Sequence, residues 1–137
     1  MRALSAERLL GLPVRLHGIR LGYPVDLLLD RAEWRALGFD VRCGDDANRF
    51  LAWATVTVAD EELMVGSALL LLEDVEFYRT RSRSFRGLRG SETAFGPVSD
   101  LLLADDGSVI EVAAGDRRVP PGDLELAPSA EPSASGW

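Results

Sequence analysis

The alternation of apolar and polar side chains in two stretches predicts β-strands with one face on a core. Residues 38–43 and 109–114 both alternate in this way, with apolar members at Phe39, Val41 and Cys43 and at Ile110, Val112 and Ala114. Successive side chains of a strand point to opposite faces, so a period of two places each apolar set on one face. We therefore expect each stretch to form a strand whose apolar set is buried.

Turn and helix signals separate the predicted strands. Residues 105–108, Asp-Asp-Gly-Ser, indicate a tight turn between a strand at 101–103 and the strand at 109–112. Residues 30–38 favour a short helix, because Asp30 and Glu33 have capping-box spacing and Gly38 can end a helix in the left-handed conformation. Residues 73–81 predict a second short helix, since acids come first and arginines last, the order that suits a helix dipole.

Two stretches share a run of residues, which indicates an internal repeat. Residues 22–29 and 96–103 match at an offset of 74 positions, so that Gly22 corresponds to Gly96 and Asp26 to Asp100, each Asp followed by three Leu. Short strands with Gly and Pro turns are typical of small antiparallel barrels. We expect a mainly β fold with two barrel-like units, residues 1–72 and 85–126, a connecting helix and linker at 73–84, and a flexible tail at 127–137.

The first copy resembles the PRC-barrel family. The matching positions are Leu9, Gly11, Val14, Leu21, Gly22, residues 26–30, residues 38–41, residues 49–51, Val56 and Val58. The resemblance covers residues 9 to about 67 well and residues 85–126 less completely. The family is named for the cytoplasmic domain of the photosynthetic reaction-centre H subunit and includes the C-terminal domain of the small-subunit ribosome maturation factor.

The resemblance implies a small β-barrel that binds other macromolecules and performs no chemistry. No catalytic residue of the family exists to be carried over. This chain shows neither the membrane helix of the reaction-centre subunit nor the additional N-terminal domain of the maturation factor, so neither specific role is carried over. Fold analogy alone does not assign a function.

Length and charge limit the function further. The chain has 137 residues, which excludes a large multidomain enzyme. A net charge of −7, from 15 basic and 22 acidic residues, argues against binding nucleic acid over the whole surface, so any basic site is local. One cysteine, early charges that are not typical of a signal peptide and no long uncharged run predict a soluble, cytoplasmic protein.

Candidate catalytic or metal-ligating residues are few. His17, the one histidine, falls in a predicted turn, and Cys43 falls on an apolar face as a buried, inert thiol. The carboxylate pairs are Asp45-Asp46, Glu61-Glu62 and Asp105-Asp106, all at predicted turns, where local backbone hydrogen bonds explain them. We expect no catalytic residue, metal or cofactor, and we expect Asp26 and Asp100 to accept backbone hydrogen bonds at a barrel corner.

The arginines of residues 79–89 are the one charge anomaly. Five cations lie within eleven residues that contain no acid, next to two aromatic residues: Arg79, Arg81, Arg83, Arg86 and Arg89, with Tyr78 and Phe85. One interpretation is a docking strip for RNA or an acidic protein, in which the rings stack on bases. The other is a solvated linker whose arginines complement a helix C-terminus and balance an acidic body.

These observations favour a non-enzymatic binding or adaptor protein with a protein partner. An RNA- or ribosome-associated maturation or processing factor that uses the arginines of residues 79–89 is the first alternative, and a small metal-dependent enzyme that uses turn carboxylates is the second. Two small barrels bury little surface alone, so we expect them to pack on one another or in a homodimer. The four leucines at residues 69–72 are candidates for that contact or for the core.

Overall fold

Strands form most of the fold and belong to two sheets. The computed structural model describes residues 3–124. The strands are β1 (Leu4–Ser5), β2 (Val14–Leu16), β3 (Ile19–Leu29), β4 (Ala36–Cys43), β5 (Asn48–Ala52), β6 (Val56–Val58), β7 (Leu63–Val65), β8 (Leu71–Leu72), β9 (Arg83–Ser84), β10 (Glu92–Thr93), β11 (Gly96–Leu103), β12 (Val109–Ala114) and β13 (Arg117–Val119). The described helices are α1 (Ala6–Leu9), α2 (Val75–Arg79) and α3 (Phe85–Leu88), with 3-10 turns at Trp53–Thr55, Ala68–Leu70 and Pro121–Asp123. The prediction of a mainly β fold is confirmed, and the tail predicted at 127–137 lies outside the described residues.

The larger sheet has eight strands and curls into a half-barrel. Its order is β6-β7-β2-β3-β4-β5-β8, with β9 pairing on β3, and its strands pair antiparallel except for the parallel pair β2 and β7. A two-residue turn joins β2 to β3, and its residues His17 and Gly18 have φ values of 49° and 82°. Positive φ at both central positions is typical of a type I′ hairpin. The turn predicted at His17 is therefore confirmed.

The smaller sheet has five strands, in the order β1-β11-β12-β13 with β10 pairing on β11. The connection between β11 and β12 is short. In it, Asp106 Oδ1 accepts a hydrogen bond from the Ser108 N–H at 2.9 Å, and Gly107 has a φ of 91°. The turn predicted at residues 105–108 is therefore confirmed.

The two sheets share one hydrophobic core. Phe39 and Leu51 of the larger sheet, Leu101 and Val112 of the smaller sheet and Phe85 of α3 are all fully buried in the same cluster. Burial of apolar surface is the main favourable term in folding, and each sheet supplies only part of this cluster. The two halves of the chain therefore stabilise each other, whereas the unit boundaries at residues 72, 84 and 126 stay a prediction.

The two sheets also exchange short edge strands. β1, from the start of the chain, pairs with β11 of the smaller sheet, whereas β9, from the middle of the chain, pairs with β3 of the larger sheet. Each of these strands leads directly into a helix, β1 into α1 and β9 into α3. Along one edge, each sheet therefore carries a short strand and the helical turn that follows it. After this helical turn, the chain continues into the other sheet.

Asp100 and Asp26 fasten these two exchanged segments. Asp100 accepts hydrogen bonds from the Ser5 hydroxyl and from the backbone N–H groups of Glu7 and Leu101, at 2.9 and 2.8 Å for the latter two. In the same way, Asp26 accepts them from the Ser84 hydroxyl and from the N–H groups of Arg86 and Leu27, at 3.0 and 2.9 Å. Both carboxylates therefore bind the backbone, as expected from the sequence. The repeat itself stays a prediction, to be tested by superposing residues 9–66 on residues 82–126.

The helix predicted at residues 30–38 is wrong. Asp30 Oδ1 does accept hydrogen bonds from Ala32 and Glu33 N–H, but residues 31–34 only bend, and the Ala36 N–H donates to the Gly107 carbonyl of the smaller sheet at 2.8 Å. This long-range bond draws the segment into a loop. Gly38 lies inside β4, where an added Cβ would come within 2.3 Å of the Leu51 carbonyl oxygen, so the glycine permits close approach of β5 instead of ending a helix.

The helix predicted at residues 73–81 is confirmed as α2, which lies on the outer face of the larger sheet. Asp74 caps it by accepting a hydrogen bond from the Phe77 N–H at 3.3 Å. Val75 is buried against Leu28 and Phe50, and the Tyr78 ring stacks on the Phe50 ring with centroids 3.8 Å apart. A second, smaller apolar cluster therefore covers this part of the sheet on the side away from the main core.

Loss of either anchoring carboxylate should destabilise the fold. Asp26→Ala and Asp100→Ala each leave backbone N–H groups and a serine hydroxyl without their acceptor, so we expect the free energy of unfolding to fall by about 2–3 kcal/mol in each variant. Asp116→Ala, at an exposed turn, should change it by less than about 0.5 kcal/mol. Urea unfolding followed by tryptophan fluorescence measures the difference, and equal effects in all three variants would contradict the anchoring role.

The close approach at Gly38 should make that position intolerant of a side chain. Gly38→Ala places a methyl group against backbone that cannot move without disturbing β5, so a loss of at least about 2 kcal/mol is expected. Gly44→Ala is the matched control, because nothing lies within 4 Å of the added Cβ, and its stability should stay within about 1 kcal/mol of wild type. Thermal unfolding of both variants tests this prediction. A Gly38→Ala protein as stable as wild type would contradict the register of β4 on β5.

Candidate functional site

An open groove of about 730 Å³ lies at the end of the half-barrel where β8 pairs on β5. Apolar residues form most of its lining, and charged residues line the remainder: Leu21, Cys43, Gly44, Asp45, Arg49, Ala68, Leu69, Leu71, Leu72 and Glu73. Three of the lining leucines, Leu69, Leu71 and Leu72, come from one short segment of the chain. We call this feature the leucine groove.

The four leucines at residues 69–72 divide between core and groove. Leu70 and Leu71 pack against the main core, and Leu71 pairs across the strands with the buried Leu51. Leu69 is 86% exposed and Leu72 is 39% exposed. A 3-10 turn followed directly by a strand explains this division, because it directs neighbouring side chains to different sides. Leu70 and Leu71 therefore contribute to the core, Leu71 also lines the groove, and a contact of Leu69 and Leu72 with another unit or chain stays a prediction.

The turn that carries Leu69 is held in place from both sides. The Ser67 hydroxyl accepts a hydrogen bond from the Leu69 N–H at 3.1 Å, and the strand pairing of β8 with β5 follows within two residues. Leu69 is thus displayed by an anchored backbone. An anchored backbone of this kind reduces the conformational entropy that this segment would lose when a partner binds.

An ion pair occupies one rim of the leucine groove. Arg49 donates two hydrogen bonds to Asp45, at 2.9 and 2.7 Å. This guanidinium, with the Ala47 N–H, lowers the pKa of Asp45 to about 2. Because the two charges offset each other, Glu73 is the remaining net charge of the lining, and the groove is mildly acidic.

Cys43 lies on the floor of the leucine groove with its thiol largely covered. Its side chain is 8% exposed and its S–H lies 3.8 Å from the Val41 carbonyl oxygen. The buried position on an apolar strand face agrees with the sequence expectation. The inertness of this thiol stays a prediction.

The five arginines of residues 79–89 each contact groups of the chain itself. Arg79 pairs with Asp40 and Glu76, Arg81 bonds the Phe77 carbonyl oxygen and lies over its ring, Arg83 lies over the Trp34 ring, Arg86 bonds the Val25 carbonyl oxygen, and Arg89 pairs with Glu7. Of the two aromatic residues predicted to stack on bases, Phe85 is fully buried and Tyr78 stacks on Phe50. These contacts favour the structural interpretation of the arginines, and they leave Phe85 with no ring face open to a nucleobase.

Asp40 is a structural residue that the sequence pattern misplaced. The alternation in β4 predicts a solvent-facing side chain, yet Asp40 is 5% exposed because α2 covers this face. The carboxylate accepts hydrogen bonds from Arg79 Nε at 2.7 Å and Asn48 Nδ2 at 2.9 Å. Asp40, and after it Glu76, raises the pKa of Arg79 further above its usual range. The sequence does contain one signal, an arginine at the end of a helix that starts with acidic residues. No local pattern, however, identifies Asp40 as the partner of that arginine.

The other candidate residues lie in turns and loops and are not brought together. His17 is in the β2–β3 turn, and the acid pairs 45–46, 61–62 and 105–106 occupy separate connections. Within residues 3–124, no group of three or more His, Cys, Asp or Glu side chains is arranged to hold a metal ion. Over the same residues, no helix is both long and apolar enough to cross a membrane.

The Asp40–Arg79 pair should contribute to stability in a way that the other arginines of residues 79–89 do not. Arg79→Ala leaves a buried carboxylate without its cation, and we expect a loss of about 2–4 kcal/mol in the free energy of unfolding. Arg81→Ala, which removes an exposed cation over an aromatic ring, should cost less than about 1 kcal/mol. Urea titrations compare the two variants, and similar small losses would show that Asp40 does not depend on Arg79.

No family model matches the chain, and the search of curated proteins finds no significant relative. The PRC-barrel resemblance therefore rests on the residues alone, chiefly Leu9, Gly11, Gly22 and Asp26. The fold that those residues imply agrees with the observed architecture only at the level of a mainly β, half-barrel structure.

Proposed function

We propose that this protein is a non-enzymatic, PRC-barrel-like binding module of the cytoplasm that docks another protein in the leucine groove. One observation carries the proposal. Leu69, at 86% exposure, stands on an anchored turn beside an open groove whose lining is mostly apolar. The proposed role is adaptor binding, in which the groove recognises a partner and no bond is made or broken.

Apolar burial supplies the driving force for this docking. A single exposed leucine is ordinary, but Leu69 is continuous with Leu72, Leu71 and Leu21 in one concave surface. Covering one such leucine side chain completely is worth about 1.5–3 kcal/mol. A partner that fills the groove with apolar side chains would therefore gain affinity from a small contact area.

The charge of the groove indicates which kind of apolar partner segment fits the groove best. Asp45 is neutralised by Arg49, so Glu73 gives the rim a net negative charge, and the chain as a whole carries −7. Complementary charge favours approach of the correct partner more than it adds affinity. The partner segment that we propose carries apolar side chains next to a lysine or arginine.

The test is selection of binding peptides on the full chain. Random twelve-residue peptides selected on the wild-type protein should combine apolar and basic residues, and titration should show binding at least tenfold weaker to Leu69→Asp. Ile19→Asp, a change at a side chain that is 68% exposed at the start of β3 and does not line the groove, should bind within twofold of wild type. Peptides that bind all three proteins equally, or a selection with no dependence on Leu69, would refute the docking groove.

A further inference from the structure

A cluster of arginines lies on the outer face of the larger sheet, and none of these arginines belongs to the lining of the leucine groove. Arg15 of β2 and Arg20 of β3 are direct cross-strand partners, and Met64 of β7 is the partner of Arg15 on its other side. Partners of this kind share one face of a sheet. The neighbouring pair Val14 and Leu63 is fully buried on the opposite face, so the arginines and Met64 face outward.

The same face continues across β3 to β4. The Arg20 guanidinium lies 5.0 Å from the centre of the Tyr23 ring and donates a hydrogen bond to the Tyr23 hydroxyl. Tyr23 in turn is the cross-strand partner of Arg42. We call this surface the arginine face, formed by Arg15, Arg20, Tyr23, Arg42 and Met64.

The arrangement of charge on the arginine face works against folding. Like charges directly opposite each other on paired strands are destabilising. In the described part of the chain no carboxylate forms an ion pair with Arg15 or Arg20, although acids outnumber basic residues by 22 to 15. Arg42 forms an ion pair with the exposed Asp46 at 3.5 Å and donates a hydrogen bond to Asn48 Oδ1 at 3.4 Å. Within residues 3–124, Tyr23 contacts the Arg20 guanidinium, but no carboxylate neutralises the charge of Arg15 or Arg20.

We infer that the arginine face is a second docking surface, and that its occupant is an acidic segment of a protein partner. Guanidinium groups bind carboxylates through two parallel hydrogen bonds, so Arg15 and Arg20 fit two acidic side chains of one extended segment. Tyr23 and Met64 are 44% and 45% exposed beside them and provide apolar contact for a side chain between the acids.

Charge favours a short acidic peptide over a nucleic acid here. A nucleic acid is a continuous polyanion whose affinity grows with the number of phosphates neutralised. The arginine face offers three cations on a chain of net charge −7, so the remaining phosphates would meet a repelling body. An acidic segment needs only two or three carboxylates in reach and avoids this repulsion.

The experiment measures binding of a defined probe to the full-length chain. A fluorescein-labelled peptide that alternates glutamate with leucine is titrated at 50 and 300 mM salt, beside the same peptide with lysine for glutamate and a twelve-nucleotide single-stranded RNA. We expect salt-sensitive binding of the glutamate peptide alone, weakened at least tenfold in Arg15→Thr/Arg20→Thr. The matched control Arg117→Thr/Arg118→Thr removes the same charge from an exposed pair on β13 and should bind within twofold of wild type.

Stability separates a binding role from a structural one. Because Arg15 and Arg20 repel each other, the double threonine variant should unfold at a urea concentration equal to or above that of wild type. A clearly lower midpoint would assign the pair a structural role and overturn the inference. So would an absence of peptide binding at low salt, an equal loss in both double variants, or binding of the RNA probe that depends on Arg15 and Arg20.

The two surfaces are tested independently. Leu69→Asp should leave binding of the glutamate peptide unchanged, since Leu69 lies in the leucine groove and not on the arginine face. Failure of one docking surface therefore does not decide the other.

Discussion

The fold depends on two carboxylates that each hold a segment exchanged between the sheets. Asp26 and Asp100 each accept hydrogen bonds from a serine hydroxyl and from one backbone N–H of a helical turn whose chain continues in the other sheet. A partly buried carboxylate that lost those donors would carry the full cost of its desolvation. Separation of the sheets would also expose the shared core. The two sheets are therefore held together by the hydrogen bonds to these carboxylates and by burial of the shared core.

These contacts between the two sheets leave distinct outer surfaces of the protein available. Part of the outer face of the larger sheet is covered by α2, through the stacked rings of Phe50 and Tyr78 and the ion pair of the buried Asp40 with the partly exposed Arg79. The end of the half-barrel where β8 pairs on β5 stays open and forms the leucine groove. Farther along the sheet, β7, β2 and β3 carry the arginine face.

The two proposed surfaces differ in charge, which suits an adaptor. The leucine groove is apolar with a mildly acidic rim, because Arg49 neutralises Asp45 and Glu73 remains. The arginine face presents cations that the fold leaves without a buried partner. Opposite preferences of this kind would let the two proposed surfaces discriminate between two partner segments by repulsion as well as attraction. The arginines of residues 79–89, by contrast, are engaged within the chain itself, and Arg79 in particular holds a helix on the sheet.

The sequence by itself determined β4, β11 and β12, the turns at His17 and at residues 105–108, and α2, because these depend on near neighbours: a period of two, an Asp-Asp-Gly-Ser turn, an acidic helix start. It also marked Asp26 and Asp100 as acceptors of backbone hydrogen bonds. The tertiary structure alone decided which edge each short strand would join, that Asp40 would be covered, that residues 30–38 would form a loop and how the four leucines would divide. Each of these outcomes depends on a partner far along the chain, and local periodicity carries no information about which distant backbone or side chain will arrive at a given face.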